Sequence, residues 1–134
     1  VLVDALRHPT RFRFTYESDT PLARKIEAVA TQVYGADGVD IAPPAAKALA
    51  EYERLGFGDL PVVIAKTHLS ISHDPTLLGA PTGWRLPVRE VRAAPGAGYV
   101  YAICGDIRTM PGLSRHPNAE RIDLDETGEI LGLS

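Results

Sequence analysis

The chain has 134 residues, 45% of them apolar and 23% charged, and a formal net charge of −3. That length suits one domain with a stable core, and the acidic balance excludes broad electrostatic capture of nucleic acid or of an anionic membrane. The single cysteine, Cys104, has no partner for an internal disulfide, and no apolar run approaches the roughly 18 residues of a membrane span.

Residues 1–6 are apolar at helical spacing, and Pro9 stops them. The chain starts at Val1, without Met, in what reads as the tail of a helix, so a piece of a longer protein is expected. Arg11-Phe12-Arg13-Phe14-Thr15-Tyr16 alternates cationic and aromatic residues. This predicts a half-buried strand with its aromatics inward. Two arginines are too few for an RNA footprint on an acidic chain. Thr20-Pro21 then opens a helix, with Thr20 as the cap and Pro21 in the first turn. Leu22, Ile26, Val29 and Val33 share its buried face, Arg24, Lys25, Glu27 and Gln32 point elsewhere, and Gly35 suits the left-handed stop. A short extended piece, Val39-Asp40-Ile41, precedes a second helix opened by Pro43-Pro44. Its apolar face is Ala45, Ala48, Leu49, Tyr52 and Leu55, and Gly56 lies just past its end.

Val62-Val63-Ile64-Ala65 is a β-branched run behind Pro61 and reads as a buried strand. It ends abruptly in Lys66-Thr67-His68, a cation, a hydroxyl and an imidazole. Open α/β sheets present polar groups to ligands at the carboxyl ends of their strands in this way. Residues 70–83 form a long loop rich in Ser, Pro, Thr and Gly, a length often tied to function. Residues 85–94 and 99–104 read as paired strands around the turn Pro95-Gly96-Ala97-Gly98. Residues 105–118 form a second irregular loop, and residues 121–133 a hairpin around Glu126-Thr127-Gly128. No repeat and no domain boundary is visible. The predicted fold is α+β: a mixed sheet built from the Phe12, Val62, Val88, Tyr99 and Ile122 segments, two amphipathic helices on one face, and a carboxyl-terminal hairpin.

Several strong chemical signals are absent: GxxxxGK followed by Ser or Thr, GxGxxG, CxxC, HExxH and GxSxG. His68 and His73 are not at a zinc-ligand spacing, and no metal site is expected. Cys104, within an apolar run, reads as a small buried hydrophobe. Lys66 leads the site candidates, as either a snorkelling surface lysine or a point charge for a phosphate or carboxylate. Thr67 and Ser70 add hydroxyls, and Asp74 can hold the loop through backbone hydrogen bonds. In the second loop, Asp106 and Arg108 are close enough to pair, and Pro111-Gly112 is a turn in its own right. No nucleophile–base–orienter set can be read.

Beyond composition, whole strings carry a resemblance. Residues 26–39 are similar to "IA..IYGADGV", and residues 60–74 to "LPVCMAKTQYSLSDD". Val88-Arg89-Glu90-Val91-Arg92, Gly96-Ala97-Gly98, and Gly105-Asp106-Ile107 with Met110-Pro111-Gly112-Leu113 are similar to "VREVR…GAG…GDIMTMPGLP". Ile122-Asp123-Leu124-Asp125 and Gly132-Leu133 also match. From about Phe12 to Leu133 the chain resembles the carboxyl-terminal region of formate–tetrahydrofolate ligase, also called 10-formyltetrahydrofolate synthetase.

The resemblance implies an ATP-dependent enzyme of one-carbon metabolism. Formate attacks the γ-phosphate, and formyl phosphate then passes its formyl group to N10 of tetrahydrofolate. It implies ATP with Mg²⁺ and tetrahydrofolate as ligands of the full-length enzyme, none of them bound by this chain alone. The phosphate-binding loop lies in the family's amino-terminal nucleotide-binding domain, which is not in these 134 residues. The whole of 1–134 is thus expected to be a carboxyl-terminal domain, inactive alone, with that nucleotide-binding domain as its partner. A cytoplasmic homotetramer without nucleic-acid or membrane partners is implied. Lys66, Thr67 and Ser70, with Met110, Pro111, Gly112 and Leu113, are carried over as candidates to line the ligand cleft, and His68 is a candidate beside them. His68 stands where the family usually has Gln, Leu69 where it has Tyr, His73 where it has Asp, and Ser114 where it has Pro. The alternative of another class is a non-catalytic module that binds folate or nucleotide, or that packs subunits.

Overall fold

Prolines and glycines set the helix boundaries. In this computed structural model, which describes residues 3, 13–105, 107, 116–117 and 120–132, helix α1 spans Leu22–Gln32 with Pro21 at its N-cap. Thr20 does not cap it. The first free donor, the Leu22 N–H, instead reaches the Glu53 carboxylate at 2.8 Å, so a side chain from the next helix does what a local hydroxyl was expected to do. Gly35 adopts φ +71°, and the Ala36 N–H returns to the Ala30 carbonyl at 3.0 Å. That bond closes the helix in the glycine-terminated manner. Helix α2, Pro43–Arg54, begins at Pro43 as the sequence predicts. Leu22, Ile26, Ala30, Ala45 and Leu49 are buried. Val33 and Leu55 are exposed, because each is the residue that ends its helix, where the apolar stripe has run out.

The strands are β1 (Val39–Ile41), β2 (Val62–Ala65), β3 (Leu86–Val88), β4 (Glu90–Ala94), β5 (Tyr99–Ile103), β6 (Asp123–Leu124) and β7 (Ile130–Leu131). The α+β class holds, but the strands form three small sheets rather than one. β1 pairs with β3 in parallel. β2, β5 and β4 form a mixed sheet in that order, with β2 parallel and β4 antiparallel to β5. β6 and β7 pair antiparallel. The expected single strand over 85–94 divides at Arg89. Its first half, which includes the donor-less Pro87, pairs with β1, while the Arg89 N–H turns to the Ile103 carbonyl at 3.0 Å. The turn after β4 is a short 3-10 piece, Pro95–Ala97, closed by Gly98 at φ +77°. Helix α1 lies against β2 and helix α2 against β4. Buried Val62, Trp84, Leu86, Val88, Val91, Val100, Ala102 and Cys104 complete the core with the helices.

Three expectations need correction. The strand predicted over 11–16 is not seen over its described part, residues 13–16. A side chain takes the place of its ladder: the Tyr16 hydroxyl accepts from the Val62 N–H at 3.0 Å, the bond an added strand would have made at that edge. Phe12 itself lies outside the described residues, as do Val1, Leu2 and residues 4–12. β2 is not buried on both faces, because its place at the sheet edge leaves Val63 half-exposed. Lys25, expected to point outward, is fully buried. Its ammonium donates to the Gly58 carbonyl at 2.7 Å and the Leu60 carbonyl at 3.0 Å, and lies 5.6 Å from the Tyr16 ring centre. Burial drives its pKa down, and Asp59, Asp19 and Glu53 partly restore it. No helix among the described residues is long and apolar enough to cross a membrane.

A Lys25→Met chain keeps the stem and loses the donors, leaving two carbonyls to be buried without partners. Urea unfolding is expected to show a loss of about 2 kcal/mol, the usual penalty for stranded polar groups.

Candidate functional site

Because β2 and β5 are parallel neighbours, both loops singled out in the sequence start from adjacent carboxyl ends. The Cys104 N–H donates to the Ala65 carbonyl at 2.8 Å, extending the ladder to the last residue before each loop. Lys66 then leaves one strand and Gly105 the other. Gly105 has φ +89°, and a Cβ there would lie 3.2 Å from the His73 carbonyl. The first loop thus folds back to touch the root of the second, and the close approach and positive φ both call for glycine.

The first loop is held from within. The Lys66 ammonium donates to the Ser70 carbonyl, and to the Thr67 carbonyl at 3.3 Å. It sits 4.9 Å from the centre of the Tyr34 ring, inside the range of a cation–π contact. Desolvation lowers its pKa, and the neighbouring Cys104 thiol pulls slightly the other way. Buried Ser70 and Ser72 join side chain to side chain at 2.9 Å. The Ser70 hydroxyl donates to the Leu77 carbonyl and accepts from the Ser72 N–H, and the Ser72 hydroxyl accepts from the Asp74 N–H at 3.1 Å. Asp74 accepts from the Thr76 N–H at 2.8 Å and the Thr76 hydroxyl at 2.7 Å, the loop-holding role its position predicts.

The candidate residues therefore separate by direction. Lys66 and Ser70 face the loop's interior. Thr67 is half-buried and its hydroxyl accepts from the Leu69 N–H at 3.2 Å. His68 is exposed. Met110, Pro111, Gly112 and Leu113 lie outside the described residues, as do Asp106 and Arg108. Sequence reasoning missed Tyr34 and Ser72. The alternation Ser70-x-Ser72-x-Asp74 is a legible signal for side chains that bond the local backbone. Nothing local tells that Tyr34 faces a lysine 32 residues later. His73 packs its ring 6.0 Å from that of Trp84, and its buried Nδ1 has no hydrogen-bond partner. A concavity of about 540 Å³ lies at the other end of β2, beside Tyr16, Val29, Asp59 and Pro61. It belongs to the Lys25 end of the strand, away from these loops. No three His, Cys, Asp or Glu side chains gather as a metal site among the described residues.

Comparison with known proteins gives a consistent result. A family model described as formate–tetrahydrofolate ligase matches residues 1–134. A formate–tetrahydrofolate ligase of Cutibacterium acnes is 69% identical over 132 residues, 98% of this chain and 23% of that protein. One from Saccharopolyspora erythraea is 66% identical over 134 residues, 100% of this chain and 24% of the relative. A formate–tetrahydrofolate ligase 3 of Rubrobacter xylanophilus is 62% identical over 122 residues, 91% of this chain and 21% of the relative. The chain thus spans about a quarter of the length of the relatives it matches.

Two predictions concern these loops. Burial pushes the Cys104 thiol up to about 12, with Lys66 opposing. The reactive species is the thiolate, so iodoacetamide at pH 8 is expected to leave Cys104 unmodified in the folded chain and to alkylate it in urea. The Thr76 hydroxyl and amide hold the Asp74 carboxyl below its ordinary value of 3.8. A lowered carboxylate pKa stabilises the fold above the ordinary value and ceases to as pH falls through the lowered one. The Thr76 amide resonance should therefore titrate with a midpoint below pH 3.8.

Proposed function

The chain belongs to the formate–tetrahydrofolate ligase family, and from that membership we infer that it is the carboxyl-terminal part of an ATP-dependent enzyme joining formate to tetrahydrofolate. In the inferred reaction a formate oxygen attacks the γ-phosphorus of ATP, and ADP leaves. N10 of tetrahydrofolate then attacks the carbonyl carbon of formyl phosphate, and phosphate leaves. The chemical reason is that formate has no usable leaving group until it is phosphorylated. The mixed anhydride must then be kept from water, and developing phosphate charge needs fixed donors around it.

This chain carries no phosphate-cradling GxxxxGK sequence. ATP and its Mg²⁺ fall to the nucleotide-binding region expected in the rest of the polypeptide, which is the principal partner. The described residues offer no carboxylate cluster for the metal, and no step here is assigned to it. The family further implies a cytosolic homotetramer. The part given to this chain is a wall of the ligand cleft. His68 is exposed on the first loop and Thr67 half-buried beside it, Lys66 and Ser70 brace it from behind, and Met110, Pro111, Gly112 and Leu113 belong to the second.

The single observation that supports this reading is the departure of both loops from the adjacent carboxyl ends of parallel β2 and β5, in contact at His73 and Gly105. Open sheets place ligands at such an edge. Full-length ligase carrying this segment is expected to release ADP in a formate-dependent way and to form 10-formyltetrahydrofolate only when formate, ATP and tetrahydrofolate are all present. The isolated 134-residue chain is expected to do neither. A full-length protein with no formate-dependent ADP release overturns the inference.

A further inference from the structure

The two ends of β2 are built alike. At its entry the Lys25 ammonium bonds the Gly58 and Leu60 carbonyls and lies over the Tyr16 ring. At its exit the Lys66 ammonium bonds the Thr67 and Ser70 carbonyls and lies over the Tyr34 ring. In each case a lysine gathers two carbonyls of an irregular segment beneath a tyrosine face, and both tyrosines are anchored by α1: Tyr16 through Lys25 of that helix, Tyr34 just after its end. The entry clamp is remote from both candidate loops, so its role is to hold backbone. An ammonium has three donors. At Lys66 two of them are on carbonyls of its own loop, and the aromatic face occupies a further side.

We propose that Lys66 is a positioning residue: seated on the Thr67 and Ser70 carbonyls under Tyr34, its ammonium fixes the loop that carries Thr67 and His68, rather than contacting a substrate phosphate or carboxylate. This rests on the ligase reading for its kinetic consequence, though not for its structural one. Losing the ammonium frees two carbonyls at the root of the loop, and the Ser70–Ser72–Leu77 bonds downstream lose their reference to the strand. Tyr34 also packs against the core, so leucine is the replacement that keeps apolar bulk there while removing the ring face over the ammonium, and its effect on the loop should then match that of losing Lys66.

The test uses the full-length ligase with Lys66→Met, Tyr34→Leu and the double variant, with activity expressed per folded enzyme. Each single variant is expected to lower kcat about tenfold, in the range for a displaced catalytic-site element. The double variant should fall no further, and KM for ATP and formate should stay within about twofold. Hydrogen exchange in peptides covering 67–77 should quicken by about tenfold in both single variants, as local opening becomes easier. Four results overturn the proposal: a rise in KM for ATP or formate in Lys66→Met with Tyr34→Leu silent, additive losses of kcat, unchanged activity in both, or unchanged exchange at 67–77. If the unsubstituted enzyme shows no formate-dependent turnover, the ligase reading fails instead, and the exchange experiment still decides the clamp.

Discussion

Strand β2 has a lysine ammonium under each end, and the arrangement of the rest follows from that. Hydrogen bonds to a charged donor contribute about 1.5–3 kcal/mol each, and a buried carbonyl left without one costs a similar amount. Irregular backbone must enter and leave this edge strand where no helix or ladder N–H donates to the carbonyls that the lysines take. A buried cation with several donors solves that locally. Its cost is desolvation, which is why the pKa of both lysines is lowered. The tyrosine faces offset part of that cost, since a ring quadrupole attracts a cation most where water is scarce.

With β2 held in place, parallel pairing to β5 brings Ala65 and Cys104 side by side and sends two loops off the same edge. The first loop is then stiffened by bonds among its own polar groups. Ser70 and Ser72 turn inward to satisfy backbone, and this sends Leu69, Ile71, Leu77 and Leu78 outward. The polarity of that loop is thus inverted relative to a common surface loop. Buried hydroxyls and a cation support it, and apolar side chains with His68 form its outer surface.

The sequence made the local decisions legible. Period-3.6 spacing, Pro43-Pro44 and Gly35 located both helices, and Pro95-Gly96-Ala97-Gly98 located the β4–β5 turn. Lys66, Thr67, His68 and Ser70 were found at a strand's carboxyl end because a β-branched run changing abruptly to polar residues is a local pattern. What escaped was set by distant partners. Lys25 reads as a surface residue on a helical wheel, and only carbonyls 33 and 35 residues away make it a core one. Thr20 reads as a cap until Glu53, 31 residues from Leu22, takes the donor. The break at Arg89 depends on β1 competing for Leu86–Val88, which no periodicity within that segment reveals.

The division between inward and outward residues also separates several of the positions at which this chain agrees with the family strings it resembles from two at which it departs. Tyr34, Lys66, Ser70, Ser72 and Asp74 make up the clamp and the loop's inner bonding, and all five agree with those strings. His68 and Leu69 depart from them, and both are exposed. A change at an outward position alters what the loop offers to a neighbour without touching what holds the loop. Imidazole in place of an amide keeps one donor and one acceptor, whereas leucine in place of tyrosine removes a hydroxyl and keeps apolar bulk. The division is not complete: half-buried Ile64 also differs from the Met of the resembled string, and His73 differs from its Asp at a half-buried position, where its Nδ1 is orphaned and its ring lies against Trp84. A carboxylate at that position would need donors, and the Trp84 indole N–H cannot supply one because it already donates to the Pro81 carbonyl. At this position the imidazole trades an unmet hydrogen bond for aromatic contact, and it does so beside Gly105, where the first loop meets the root of the second.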